Sequence, residues 1–183
     1  MAGIDVTEDE ADLHILGYRG KHPEVVQGWA TCHDALTNIY NGREVEIDPW
    51  GLCHTIKGGI KTPQGVIWYP GLRQEVNESS GKKEWVYGYG RHKARIYAGK
   101  VTENIVQHLA REVVMDNALK IQKDLGFNTA HRVHDELIYV VGEGIADVVL
   151  DAVQDVMRTP PTWWPELVVW SEGSIGDTYG EAK

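Results

Sequence analysis

The sequence is poor in cysteine, in long apolar runs and in positive charge. Cys32 and Cys53 are its only cysteines. They have neither the paired spacing of a zinc site nor the density of a disulfide scaffold, so each reads as a small buried apolar group in a reducing compartment. No stretch approaches the roughly 20 apolar residues that cross a bilayer, and the start, MAGIDVTEDEAD, is acidic where a secretory signal would be basic and then apolar. These absences predict a soluble cytoplasmic protein with no membrane partner. Internal repeats and low-complexity segments are also missing, which excludes a tandem array. At 183 residues the chain has room for one ordinary domain, enough to bury roughly 70% of its unfolded surface.

The formal charge of -9 argues at first against a nucleic-acid partner, because phosphate affinity rests on Lys and Arg releasing counterions. The distribution of charge reverses that argument. From Lys82 to Arg111, seven basic side chains face only Glu84 and Glu103, a local charge of +5. Acids crowd the start (Asp5, Glu8, Asp9, Glu10, Asp12), and eight acids between 143 and 183 face only Arg158 and Lys183. A basic middle in an acidic chain points toward nucleic acid, with a solvated charged face as the bland alternative.

Local signals divide the chain into elements. Thr7-Glu8-Asp9-Glu10 has the form of a capping box and predicts a helix over 8–19 ended by Gly20. Pro23 suits a first helical turn, and Val25, Val26, Trp29, Leu36 and Ile39 keep helical spacing up to Asn41-Gly42. Residues 43–92 alternate in short runs broken at Gly58-Gly59, Pro63-Gln64-Gly65 and Asn77 to Gly81, the pattern of small antiparallel hairpins. A long helix is predicted over 99–125, with an apolar stripe of Val101, Ile105, Leu109 and Val113 beside Val106 and Ala110, closed by Gly126. Strands follow at 129–133 and 137–141 around His134-Asp135-Glu136, then a helix at 145–157, a break at Thr159-Pro160-Pro161, and a last strand at 167–172. The sum is one α+β unit, helices packed on an antiparallel sheet.

Two adjacent carboxylates in a tight turn between apolar strands are unusual. Asp135 alone reads as a turn-former. Packing like charges at the edge of a buried sheet is costly unless a cation offsets them, and magnesium takes hard oxygen ligands of this kind. On the long helix, Lys100, Glu103, Asn104, Gln107 and Arg111 fall on one face. The amides among these charges both donate and accept, which suits sugars and minor-groove base edges, although an ordinary wet helix face has the same look.

Val133-His134-Asp135-Glu136-Leu137 resembles the palm motif of family A DNA polymerases, the bacterial DNA polymerase I-like and phage-type enzymes, in which a hairpin tip presents the catalytic Asp. Four further segments agree in order: Tyr18-Arg19-Gly20-Lys21-His22-Pro23-Glu24-Val25; Thr62-Pro63-Gln64-Gly65 with Tyr69-Pro70; Ile96 to Gln107 with Ala110-Arg111; and Met157-Arg158-Thr159-Pro160-Pro161 with Trp163. Ala98 stands where the phage-type pattern has Gly. The resemblance implies a partial polymerase palm, an antiparallel sheet with packed helices, over 43–183 with the motif hairpin at 129–141, preceded over 1–42 by the end of the fingers helices. It implies Asp135 as a Mg2+ ligand of a two-metal nucleotidyl-transfer site, and His134 beside the primer terminus. Glu136 points to the opposite strand face and tunes the site or binds metal through water. Lys93, Arg95, Lys100, Asn104, Gln107, Arg111 and His134 would meet primer-template DNA, with Glu103 as an orienting partner.

The family also needs a second palm carboxylate and a fingers helix that grips the incoming dNTP, and neither is found in this sequence. The resemblance starts at about Ala2-Gly3-Ile4-Asp5, where the fingers helix would end. The expectation is the C-terminal subunit or fragment of a split DNA-directed DNA polymerase, active together with an N-terminal chain that supplies the other carboxylate and the fingers. The alternatives are a non-catalytic DNA-binding or inactive polymerase remnant, and a stand-alone magnesium-dependent phosphoesterase, for which the sequence offers no clustered set of carboxylates.

Overall fold

The structure, a computed structural model, describes residues 6–182. Asp5 and the Ala2–Asp5 start of the resemblance lie outside them. Its contacts divide the chain into two compact units, Met1–Ile105 and Val106–Lys183, where the sequence reads as one.

In the first unit, α1 (Glu8–Lys21) opens on the capping box: the Thr7 hydroxyl accepts from the Glu10 amide at 3.3 Å while the Glu10 carboxylate accepts from the Thr7 amide at 2.9 Å. The Thr7 hydrogen bonds hold the Glu10 carboxyl below its ordinary value. The helix passes through Gly20 and ends at His22. Pro23 is the physical reason, since the residue before a proline is forced out of the α region, and His22 sits at φ -127°. Pro23 then starts α2 (Pro23–Asn41), which Gly42 closes in the left-handed region at φ 71°. Burial in α2 is confined to Cys32, Ala35, Leu36 and Ile39, so Val26 in the first turns stays exposed.

Two three-stranded antiparallel sheets follow. β1 (His54–Ile56), β2 (Gly59–Lys61) and β3 (Val66–Trp68) form the first in sequence order. β4 (Arg73–Val76), β5 (Lys83–Tyr87) and β6 (Ala94–Ile96) form the second. The predicted turn residues fall in the connections β1–β2, β2–β3 and β4–β5, except Gly59, which opens β2 and pairs with Ile56 and Trp68. Thr55 is fully buried because its hydroxyl donates to the Arg43 carbonyl at 2.7 Å and accepts from the Val45 amide at 3.1 Å. Tyr69, in the link between the sheets, is 1% exposed and meets the Tyr87 ring edge-on at 5.4 Å.

α3 (Ala98–Lys120) leads from the first unit into the second and continues through a π turn, Ile121–Leu125, to Gly126 at φ 78°. Its buried positions are Val101, Glu112, Asn117, Ala118 and Ile121, whereas Val106 and Ala110 of the predicted stripe are exposed. In the second unit β7 (His131–Val133) and β8 (Glu136–Ile138) pair antiparallel, shorter than the sequence suggests. α4 (Ala146–Met157) follows a 3-10 turn, Glu143–Ile145. The expected strand at 167–172 does not form. Two hydrogen bonds from the Arg158 guanidinium to the Ser171 carbonyl, at 2.9 and 3.2 Å, hold that segment, with Arg158 4.5 Å from the Trp170 ring centre. Side-chain bonds to the end of α4 replace the ladder that a neighbouring strand would have supplied.

Candidate active-site hairpin and basic helix face

The β7–β8 register pairs Val133 with Glu136, leaving His134-Asp135 as a two-residue loop. Such tight hairpins call for positive φ, normally from Gly or Asn. Here His134 supplies it at φ 52°, the one non-glycine residue in that region among the described residues. A side chain there costs on the order of 1 kcal/mol, strain of a kind that concentrates at functional sites.

Asp135 is exposed at the tip and has no hydrogen bond or ion pair among the described residues. Glu136 is engaged: its carboxylate accepts from the Tyr179 hydroxyl at 2.6 Å. The two neighbours therefore differ, one free and one tethered. Among the described residues no group of three or more His, Cys, Asp or Glu side chains clusters around a point that could hold a metal. A hard cation would find one free carboxylate here, part of a coordination shell.

Beside the hairpin, within the same unit, lies an open groove of about 600 Å³ whose lining includes Arg111, Met115, His131, Arg132 and His134. Arg111 and His134 were singled out in the sequence, and the structure brings them to one surface. His131 and Arg132 were missed. Part of the signal was available, since His131 and Arg132 lie on the strand that leads into His134 while Arg111 and Met115 stand one helical turn apart. The Arg132 guanidinium rests on the Met115 sulfur.

The other basic candidates are paired. Lys93 meets Glu75 at 2.8 Å, Arg95 meets Glu84 at 3.3 Å and lies over the Tyr97 ring, and Lys100 meets Glu103 at 2.9 Å. The bond from Glu103 raises the Lys100 ammonium above its ordinary value, and those from Lys93 and Arg73 lower Glu75. Exposed pairs of this kind are weak and exchange readily for another anion. Asn104 has a structural bond, donating to the Tyr69 hydroxyl at 3.2 Å. Burial pushes that phenol up to about 12 against the bond from Asn104. Gln107 and Arg111 remain exposed and unpartnered among the described residues. Further along α3, His108 and the buried Glu112 stand 3.2 Å apart, and Asp116 accepts from the Trp163 indole at 2.7 Å, anchoring the segment after Pro160-Pro161.

Fold and site together define an α+β chain that presents an unpaired carboxylate on a strained hairpin tip beside a cationic groove. The chain is related in sequence to the DNA polymerase of Bacillus phage SP02, 28% identical over 182 residues that cover 87% of this chain and 27% of that protein. It thus spans about a quarter of the length of the curated relative it matches. No family model and no solved structure matches. Among the described residues no helix is long and apolar enough to cross a membrane.

Proposed function

We propose that this chain is the C-terminal palm part of a family A DNA polymerase and works as a DNA-directed nucleotidyltransferase with an N-terminal chain. That chain supplies the second carboxylate, the fingers and the dNTP grip. The observation that carries the reading is the free Asp135 on the His134 tip, set beside Arg111 and Arg132 in a chain related to a phage DNA polymerase. Asp135 would hold magnesium, which supplies charge stabilisation at the attacking and leaving oxygens of phosphoryl transfer. Glu136, fixed by Tyr179, orients the loop, and His134 and Arg111 meet the primer-template backbone. Lys93, Arg95 and Lys100 exchange their carboxylate partners for phosphates when DNA arrives, while Asn104 and Gln107 reach sugars and base edges.

A missing partner would have exposed apolar side chains to cover: Val140, Val148 and Val168 are 84%, 72% and 94% exposed. The test is primer extension by the pure chain, by the N-terminal region of a related polymerase, and by the mixture. Extension by the mixture alone is expected. Extension by the pure chain refutes the need for a partner, and an inactive but co-purifying mixture refutes the catalytic reading.

A further inference from the structure

Three aromatic rings of the first unit stand in water for which the hairpin and helix give no use. Trp68 is 61% exposed, Tyr89 68% and Tyr40 49%. Two of them are braced from behind by glycine backbone. A β-carbon on Gly59 would come within 3.2 Å of the Trp68 ring, and one on Gly58 within 3.9 Å. On Gly71 it would come within 2.6 Å of the Tyr89 ring. Each ring therefore lies close against glycine main chain while much of its surface stays exposed. Gly58 and Gly71 both line one cleft of about 330 Å³, together with Tyr40, Lys57, Trp68 and Pro70.

The cleft lining carries positive charge alone. Among the described residues, Lys57 is the only charged one lining it. Its ammonium donates to the Tyr40 carbonyl and sits 5.6 Å from the Tyr40 ring centre, which fixes it in place. Arg73 holds its guanidinium 6.0 Å from the Tyr89 ring centre. Its partner Glu75 is shared with Lys93, so this group of three stays net positive. Flat π faces, an otherwise uncharged lining and a fixed cation match a planar base attached to phosphate. A base can offer its face only when unpaired, and every base has one, so such a site takes single strands with little regard to sequence.

We propose that this cleft binds single-stranded nucleic acid, one base stacking on Trp68 while Lys57 meets the adjoining phosphate. That the strand is DNA, the unpaired part of a template, rests on the polymerase reading; the stacking geometry does not. The experiment titrates the whole chain against a short fluorescein-labelled oligothymidylate and, separately, a blunt duplex. Trp68→Ala should weaken oligothymidylate binding about tenfold or more, Trp68→Tyr should restore most of it, and duplex affinity should not move. Lys57→Gln should lower the logarithmic salt slope for the oligothymidylate by about one unit. A parent chain that ignores the oligothymidylate overturns the proposal, as does a Trp68→Ala variant that binds it normally or loses both ligands equally. Oligothymidylate binding through Trp68, with no duplex binding and no templated extension in the partner mixture, would sink the polymerase reading and leave this site standing.

Discussion

The two units of the chain differ in how they are held. Of the sixteen buried apolar side chains among the described residues, twelve lie in the first unit and four, Ala118, Ile121, Val149 and Pro161, in the second. The first has two three-stranded sheets and the second a single hairpin of three-residue strands. Each unit buries two polar residues, Thr55 and Thr62 in the first and Glu112 and Asn117 in the second, but among the described residues only the second buries a carboxyl group. The unit bearing the free carboxylate is thus the one with fewer buried apolar side chains. The larger apolar core and the proposed metal-binding carboxylate therefore fall in different units.

The largest expected effect tests that division from the chemical side. Asp135→Asn keeps size and turn propensity but removes the charge, so single-turnover extension by the reconstituted enzyme should fall about a thousandfold, the several kcal/mol a metal supplies. DNA binding and melting temperature should stay where they are. Near-normal turnover would remove Asp135 from the site.

Next comes the core. Leu36→Ala and Ile60→Ala, both fully buried in the first unit, should each cost about 2–5 kcal/mol in denaturant unfolding. Arg158→Ala, which frees the 167–172 segment, should cost about 1–3 kcal/mol and act on the second unit alone. Hydrogen exchange resolves the two, and equal protection in both units would break the comparison. Protection of the second unit should rise when the N-terminal chain is added.

Alkaline pH gives a smaller effect confined to the first unit. The Tyr69 phenol is raised to about 12 from 10, so between those values the folded state binds more protons than the unfolded one. Stability is therefore fully present below pH 10 and falls as pH rises toward 12, by an amount on the order of 2 kcal/mol. Tyr69→Phe should flatten that part of the curve. The smallest expected effect is electrostatic: Arg111→Ala should lower the salt slope of duplex binding by about one unit, and Gln107→Ala should weaken binding without changing it.

What the sequence revealed was what is decided locally. The Thr7–Glu10 box, Pro23, Gly42 and Gly126 each act within one or two turns, and the helix boundaries they set are those observed. The turn at His134-Asp135-Glu136 was legible for the same reason, although Glu136 proves to be the first residue of β8. The strand at 167–172 was misread because alternation in one segment cannot say whether a neighbouring strand exists. The ion pairs of Lys93 and Arg95 were invisible because Glu75 and Glu84 lie on other strands. Arg132 was passed over because its neighbour in the groove, Met115, is an apolar residue on a distant helix. The Trp68 cleft depends on glycines brought together by turns, which no run of residues displays.

The π turn at Ile121–Leu125 bears on how this chain can vary. A π turn carries one residue more than an α-helix needs for the same advance. Deleting a residue elsewhere in α3 would rotate everything beyond it by about 100° and swing the approach to the hairpin away. Deleting one inside Ile121–Leu125 would return the turn to ordinary winding and leave both flanks facing as before. This turn is where α3 can change length between one relative and another without re-aiming Asp135.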